Sequence, residues 1–404
     1  MIQEFTLPEL AAAYRHSIKR GPFGGALKKE IFVCEGFVVY EQQHAIYKRF
    51  NDARYYIDQN KYEELEAFKV EEGDLIISCS GTIGKIAEVP KGFKPGIINQ
   101  ALLKVTLDQS KVLNKYFIHL FEGEKIQNQL FSMSHGTGLK NFPPMAVVKS
   151  IKFPLPPLEE QKKIAAILDA ADEYRQKTKA LIDKYDQLTQ SLFLDIFGDP
   201  VTNPMGWDTN ELGEILQITS SKRIFKDEYV EEGIPFYRTK EIVELSKGNK
   251  ISLELFISEK RYSEIKSKYD IPEKGDILLS AVGTIGIMWT VNTEDPFYFK
   301  DGNLVWLKSA NLEGVDPTYL RMTLEHLIDY EKYKLAEGGA YNALTIAKLK
   351  EFNVLLAPYD LQHLFAERIA LIEKQKQQAE ASLVKAEELF NSLLQKAFKG
   401  ELTC

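Results

Sequence analysis

The residue pattern most suggestive of chemistry is a glycine-rich segment, Gly-Thr-Ile-Gly-Lys, at positions 81–85. Glycines followed by a lysine can bind a nucleotide phosphate, but that motif also needs a glycine at position 79 and a serine or threonine at position 86. Cys79 and Ile86 stand there instead. We interpret the segment as a tight turn after a strand, in which glycine supplies backbone freedom. Its amides and Thr82 are candidates for phosphate contact, as is Thr284 in a second copy at 283–286.

Other catalytic patterns are missing from the sequence. Residues 141–144 (Asn-Phe-Pro-Pro) contain the residue types of an amino-methyltransferase motif in the wrong order, and no glycine-rich S-adenosylmethionine loop accompanies them. The six histidines show no metal-binding spacing, and we find no nuclease-like cluster of carboxylates and lysine. The sequence therefore predicts no catalytic residue, no cofactor and no metal in this chain.

Basic residues beside glycines and small polar residues are the best candidates for nucleic-acid contact. Arginine and lysine can reach phosphates or guanine, and asparagine can read adenine. Such residues cluster at 19–29 and 135–141 in the first half, and at 220–223, 238–240 and 338–342 in the second. Besides the two threonines, the candidates are Arg20, Lys28, Lys29, Lys140, Asn141, Lys222, Arg223, Arg238, Lys240, Tyr341 and Asn342.

Length and composition limit the possible classes of protein. A chain of 404 residues exceeds one ordinary core, so we expect at least two domains. We find no apolar run of about eighteen residues and no signal-peptide pattern, and the three cysteines lack metal-ligand spacing. These features favour a cytoplasmic protein without a membrane span. The net charge of −7 does not by itself suggest a nucleic-acid binder, although it sums over all faces of the molecule.

The chain repeats itself at about half its length. At an offset of 202 residues, segment 73–78 aligns with 275–280, and segment 81–84 is identical to 283–286. Farther along, the offset becomes 201, where Gln161 matches Gln362. Because the matches keep their order from end to end of each half, they indicate a duplication.

Each half begins with a globular part and ends in a helix. Short β-like runs, such as 75–78 and 277–280, alternate with glycine and proline turns, which predicts an α+β fold of two similar mixed domains with a strong β component. After the prolines that close each globular part, neither proline nor glycine occurs until Gly198 and Gly400. The predicted boundaries are 1–154 and 200–355 for the globular domains, and 155–199 and 356–404 for the spacer helices.

The two helical segments carry matching heptad seams. The seam residues are Ile164, Leu168, Ala171, Thr178, Ile182, Tyr185, Leu192 and Ile196 in the first segment, and Phe365, Ile369, Ile372, Ala379, Leu383, Ala386, Leu393 and Ala397 in the second. The alternative is two unrelated surface helices, but the matched lengths and registers indicate an antiparallel coiled coil. Such a pair would hold the globular domains at opposite ends of a rigid bar, related by a pseudo-twofold axis.

This arrangement fits duplex DNA, whose half-sites for twofold proteins lie about one turn, or ~34 Å, apart. With two domains that are similar in fold but differ in sequence, the chain resembles the specificity subunit of type I restriction–modification systems. The resemblance is carried by the repeated blocks 73–84 and 275–286, by the helix entry at 153–164, by the domain opening at 206–214 and by the helix end at 398–402.

The resemblance implies a non-catalytic subunit that binds a bipartite, asymmetric site in double-stranded DNA, with one recognition domain for each part. It also implies that the helices dock two adenine methyltransferase subunits, which hold S-adenosylmethionine. Two restriction and translocation subunits, which use ATP and Mg, would complete the complex.

The sequence departs from the family pattern at two places. The first half opens with Glu4-Phe5 instead of Gly-Trp, and the second helix entry lacks the Glu-Glu-Gln of the first, so the domain edges stay open. Two other classes also stay open. One is a subunit of a type II-like fused restriction enzyme, and the other is a coiled-coil adaptor that binds only proteins, which the negative charge favours.

Overall fold

The computed structural model describes residues 2–132, 142–309, 314–336 and 343–402. The chain divides into two compact units, one of residues 1–180 and 380–404 and the other of residues 181–379. Each unit therefore contains one globular part and a portion of each of two long helices.

The globular part of the first unit contains nine strands and six helices among the described residues. The strands are β1 (Gln3–Thr6), β2 (Ile18–Arg20), β3 (Phe37–Tyr40), β4 (Tyr56–Ile57), β5 (Leu75–Ser78), β6 (Ile86–Glu88), β7 (Gly96–Ile98), β8 (Leu102–Val105) and β9 (Lys152–Leu155). The helices are α1 (Leu7–Leu10), α2 (Gln42–Tyr47), α3 (Gln59–Glu64), α4 (Asn114–Glu122), α5 (Glu124–Ser132) and α6 (Met145–Ser150). The long helix α7 (Leu158–Phe197) follows.

The second unit has ten strands in its described globular part. These are β10 (Thr209–Glu211), β11 (Gln217–Thr219), β12 (Tyr229–Val230), β13 (Ile234–Tyr237), β14 (Phe256–Ile257), β15 (Ile277–Ser280), β16 (Met288–Thr290), β17 (Tyr298–Phe299), β18 (Leu304–Lys308) and β19 (Asn353–Leu355). The helices are α8 (Leu212–Ile215), α9 (Thr239–Ser246), α10 (Glu259–Lys268), α11 (Pro317–Ala336) and α12 (Ile346–Lys350), and the long helix α13 (Tyr359–Lys399) ends the second repeat.

The two units share one sheet topology, except that the second sheet has the additional strand β12 in the second unit. The main sheet has the order β2-β8-β5-β6 in the first unit and β11-β18-β15-β16 in the second, and all of its pairs are antiparallel. A second sheet places β3 parallel to β7, and β13 parallel to β17. The first and last strands of each globular part form a separate two-stranded sheet, β1 with β9 in the first unit and β10 with β19 in the second. Each repeat therefore folds into the same α+β architecture, as the duplication predicts.

The strands at the centre of each main sheet carry continuous apolar runs because both of their faces are covered. Every residue of β5 and of β15 is buried. One face of each sheet packs on the helices that follow it in sequence, such as α4, where Phe117 is fully buried, and α11, where Leu320 is fully buried. These cores fix the positions of the loops at the sheet edges.

The long helices pack antiparallel within each unit. In the first unit, the Arg175 guanidinium lies 4.5 Å from the ring centre of Phe390, and Lys179 pairs with Glu387 at 3.1 Å. The residue numbers rise along α7 while they fall along α13, which defines the antiparallel direction. In the second unit, the Phe193 ring lies 5.8 Å from that of Phe365.

The predicted seam is confirmed along both long helices, because none of its residues is exposed. In the second unit, Asp186 and Lys376 form an ion pair farther along the same two helices. No helix in the described part of the chain is both long and apolar enough to cross a membrane.

A buried glutamine joins the start of each long helix to its globular part. The Gln161 side chain accepts a hydrogen bond from the Leu113 amide at 3.0 Å and donates to the carbonyl of Pro156 at 2.9 Å. Gln362 makes the same two bonds, with the Asp316 amide at 2.9 Å and the Ala357 carbonyl at 2.6 Å. The match between Gln161 and Gln362 in the sequence therefore reflects a shared structural role.

Candidate nucleic-acid interface

Several loops lie together at one end of the strands of the main sheet in the first unit. Strand β2 ends there at Arg20, β5 ends at Ser78, and the turn 81–84 leads into β6. Arg20 ties these loops together, because its Nε donates to the Gln100 carbonyl at 3.2 Å and its terminal nitrogen donates to the Cys79 carbonyl at 3.4 Å. We call this set of loops the first recognition edge, consisting of residues 20–21, 41–42, 79–84 and 99–100.

The second unit has an equivalent edge, formed by residues 220–223, 238–239, 281–286 and 300–303. The amide of Ala281 donates to the Asn303 carbonyl at 2.9 Å, as Cys79 does to Ala101 at 2.7 Å in the first unit. Arg223 pairs with Asp301 at 2.8 Å across this edge. We call it the second recognition edge. The backbone contacts of the two edges correspond, whereas their side chains differ.

The ends of strands β3 and β13 also lie at these edges, and they are bound there by equivalent hydrogen bonds. The Asn99 amide donates to the Tyr40 carbonyl at 2.9 Å, and the Lys300 amide donates to the Tyr237 carbonyl at 2.9 Å. The next residue in each half, Glu41 or Arg238, therefore lies beside the loop that enters the main sheet. Sequence reasoning singled out Arg238 but missed Glu41, because the two positions differ by 197 residues rather than 202 and share no side-chain chemistry.

The repeated glycine segments form the predicted turns, and a serine holds each one. Ser78 Oγ accepts a hydrogen bond from the Lys85 amide at 2.9 Å, and Ser280 Oγ accepts one from the Ile287 amide at 2.9 Å. Thr82 and Thr284 are both exposed on these turns. Each turn therefore exposes main-chain atoms and a threonine hydroxyl to solvent at its edge.

The two glycines of the first turn are required for different reasons. Gly84 has a φ of +78°, and a Cβ there would lie 2.8 Å from Gln127, which packs on the turn from α5. Gly81 has a φ of +63°, but its Cβ would meet only Gln42, at 4.0 Å. The outer glycine is therefore needed for its conformation alone, and it leaves the surface free for a close approach by another molecule.

The aspartate that begins each repeated block is structural. Asp276 is buried and accepts hydrogen bonds from Trp306 Nε1 at 2.8 Å and from the Ser309 amide at 2.7 Å. Asp74 holds the equivalent place, where burial raises its pKa and hydrogen bonding by Thr106 opposes that shift. Both lie at the opposite end of the central strand from the recognition edge, so they stabilise the sheet and do not line the edge.

Arg238 is held by two carboxylates. Its side chain donates to Glu241 through Nε at 3.2 Å and through a terminal nitrogen at 2.6 Å, and the same terminal nitrogen donates to Glu254 at 2.7 Å. Glu254 also accepts from Lys240 at 2.6 Å. These hydrogen bonds, from Lys240 first and then Arg238, lower the pKa of Glu254 to about 2. Burial of Glu241 would raise its pKa, but the bonds from Arg238 lower it below the usual value.

The remaining basic candidates differ in their placement. Lys222 lies at the second edge, with its Nζ 4.4 Å from the ring centre of Tyr269. Arg223 remains largely exposed despite its ion pair, at 68% of its side-chain surface. Lys28 and Lys29 are both exposed, Lys29 at the start of a short 3-10 segment and Lys28 just before it, and no hydrogen bond or ion pair within the described residues links them to the first edge.

Four predicted site residues, Lys140, Asn141, Tyr341 and Asn342, lie outside the described residues. The chain that follows each of these segments returns to its edge. The Phe142 amide donates to the Cys79 carbonyl at 3.3 Å, and the Leu344 amide donates to the Ala281 carbonyl at 2.8 Å. Within the described ranges, no group of three or more His, Cys, Asp or Glu side chains could hold a metal ion.

Two units of one topology, each with a polar loop edge and each containing parts of two antiparallel helices, define a duplicated two-domain protein. The family model for the type I restriction modification DNA specificity domain matches this chain at residues 41–184 and 204–383. The chain belongs to that family.

Similar proteins agree with this assignment. A putative type I restriction enzyme specificity subunit of Haemophilus influenzae is 30% identical over 269 residues, which span 61% of this chain and 64% of that protein, slightly less than two thirds of its length. The type I restriction enzyme MjaIX specificity subunit of Methanocaldococcus jannaschii is 25% identical over 362 residues, 82% of this chain and 80% of that one.

A solved structure shares the fold. The crystal structure of the S subunit of a type I restriction–modification system from M. genitalium has a TM-score of 0.57 at 17% identity, and the match covers 98% of this chain and 96% of the other.

Proposed function

We propose that this protein reads a bipartite, asymmetric DNA sequence, with one half-site bound at each recognition edge. The observation that carries the proposal is that the two edges are built by the same backbone contacts but carry different side chains. Arg20, Gly21 and Glu41 at the first edge correspond to Ser220, Ser221 and Arg238 at the second. A common frame that presents different donors and acceptors suits two different base sequences.

The recognition domains would comprise residues 1–154 and 200–355, with residues 155–199 and 356–404 as spacer helices. Basic side chains at the edges would contact phosphates, and donors such as Arg238 would contact base edges in the major groove. The net charge of −7 sums over all faces of the molecule, so it does not by itself oppose DNA binding at the two edges.

We further propose that the protein acts in the cytoplasm as the non-catalytic specificity subunit of a type I restriction–modification complex. The long helices would dock two methyltransferase subunits, which bind S-adenosylmethionine, and two restriction subunits, which use ATP and Mg. The support is the family membership and the fold shared with a type I S subunit.

Selection from a pool of random DNA duplexes tests this function. The full chain, alone and together with the methyltransferase subunit of its system, is incubated with the pool, and the bound duplexes are sequenced. We expect two short specified blocks separated by an unspecified spacer. Absence of any enriched sequence in both samples would contradict DNA recognition and would favour a protein-binding adaptor. Methyl transfer or cleavage by the isolated chain would favour a fused enzyme.

A further inference from the structure

The residue that follows strand β3 occupies the same structural position as the residue that follows strand β13. Tyr40 and Tyr237, which end these strands, accept equivalent hydrogen bonds from Asn99 and Lys300. Glu41 donates its amide to His44 Nδ1 at 2.9 Å, and Arg238 donates its amide to Glu241 Oε2 at 2.8 Å. Glu41 and Arg238 are therefore equivalent positions with opposite charge.

Both positions border a loop of their edge, and the position in the first unit also borders the exposed turn. Gln42, next to Glu41, lies against the turn at Gly81, and Thr239 follows Arg238. The oxygens Gln42 Oε1 and Thr239 Oγ1 are shielded from solvent and have no hydrogen-bond partner within the described part of the chain. Each edge therefore contains a shielded polar atom without a partner among the described residues, whereas most buried polar atoms are paired.

The buried residue three positions farther on fixes each of these positions. His44 is 1% exposed, and its Nε2 also bonds the Asp52 carbonyl at 3.1 Å. Glu241 is 3% exposed and holds the Arg238 guanidinium through two hydrogen bonds. Because Glu241 and Glu254 occupy its Nε and one terminal nitrogen, the Arg238 guanidinium presents the N–H groups of its other terminal nitrogen in a fixed direction, where they can donate to an acceptor of a guanine edge.

The charge of Glu41 determines what it can contact on DNA. Glu41 has no cationic partner among the described residues, whereas Arg238 pairs with two carboxylates. A carboxylate near the phosphate backbone is repelled unless it accepts a hydrogen bond from a base. In the major groove, the donors are the exocyclic amino groups of cytosine and adenine.

We infer that the residue after β3 and β13 is the position that reads a base in each half-site. Glu41 accepts from the amino group of a cytosine or an adenine, and Arg238 donates to a guanine. His44 and Glu241 are positioning residues that hold them. This inference rests on the proposed DNA recognition and adds the residues and the base chemistry.

The first test is a conservative change, Glu41→Gln, in the full chain with its methyltransferase subunit and the random duplex pool. We expect the preference at one base pair of one block to change by about 5- to 150-fold, while the other block is unchanged. The preference should fall for a cytosine, which loses a charged acceptor, and rise for an adenine, which can pair with both groups of the glutamine amide. Binding to non-specific DNA should not weaken, since a repulsive charge is removed. The wild-type base at that pair identifies the donor as cytosine or adenine.

The matched control is Glu72→Gln, which removes the same charge at the opposite end of β5. Glu72 is exposed and precedes the sheet rather than its recognition edge. This variant should keep every base preference of the wild type.

The second test introduces at the first edge the two side-chain types that occupy the equivalent positions of the second edge. In the double variant Glu41→Arg with His44→Glu, we expect the same base pair to change its preference to guanine. A thermal melt checks that the variant folds, and Glu41→Gln provides the test if it does not.

The outcomes separate the inference from the proposed function. If the wild type selects two blocks and Glu41→Gln leaves both unchanged, the inference is wrong and DNA recognition stands. If the wild type selects no sequence, the proposed function fails and the inference fails with it.

Discussion

At the scale of residues, the charged side chains of the second edge form a connected network. Arg238 is oriented by Glu241, and Glu254 bridges Arg238 and Lys240. The sequence could predict Arg238 and Lys240 as candidates, because they are basic residues near other basic residues. It could not predict their carboxylate partners, since Glu254 is separated from Arg238 by 16 positions and only the fold brings them together.

We expect Arg238→Ala and Arg223→Ala each to weaken binding to one half-site only, by about 1–3 kcal/mol for a residue that pairs with guanine. The physical reason is the loss of a donor pair that fits the guanine edge. Affinity measurements on duplexes with single base changes check the result. Unchanged affinity and preference in both variants would remove these residues from the recognition surface.

Glu254→Gln should have the opposite effect on affinity. Removal of this charge frees Lys240 for a phosphate while Glu241 still holds Arg238, so the slope of log affinity against log salt should steepen by about 1. Titrations at several salt concentrations measure the slope. Glu294→Gln is the matched control, because Glu294 also pairs with a lysine but lies near Lys274, away from the second edge. Equal slopes for both variants would contradict this role.

At the scale of elements, the repeat predicted the strands β5 and β15, the turns that follow them and the extent of both long helices. The order of the strands within each sheet was not predictable. In the first unit, for example, β8 lies between β2 and β5 and pairs with residues that are distant in the sequence. One helix also differs between the repeats. Gly123 separates α4 from α5, whereas α11 continues through His326, which stacks 5.1 Å from Phe193.

The glutamine at each helix start is expected to stabilise its unit. Gln161→Ala would leave the Leu113 amide and the Pro156 carbonyl without their partner, at a cost of about 2–4 kcal/mol. Urea unfolding followed by circular dichroism measures the change. Gln187→Ala, at an exposed site on the same helix, is the control and should change the free energy of unfolding by less than about 0.5 kcal/mol. Equal effects of the two changes would contradict the role of Gln161.

At the scale of the whole molecule, the duplication explains how one chain could read two unlike sequences. The paired helices occur in both units, and each unit repeats the same edge with its own side chains. Sequence periodicity was sufficient to predict the pairing of the helices, because a heptad seam requires a partner. The bases that each edge reads were not predictable, since the edge is assembled from loops that are far apart in the sequence.

The spacer helices should determine the distance between half-sites. Insertion of seven residues in both helices keeps the heptad seam and lengthens each helix by roughly 10 Å. At about 3.4 Å per base pair, the preferred spacer should grow by about three base pairs. Selection from the random pool measures the spacer directly. A lengthened protein that keeps the original spacer would show that the helices do not set this distance.

The most direct test of the central claim is photocrosslinking from the two turns to a duplex that contains the selected site. A photoreactive residue is placed at Thr82 or Thr284, with Glu72 and Lys274 at the opposite ends of the sheets as controls. We predict that position 82 crosslinks only to one half-site, that position 284 crosslinks only to the other, and that the controls give no crosslink. Crosslinks from both turns to the same half-site, or from the control positions alone, would contradict recognition by the two edges.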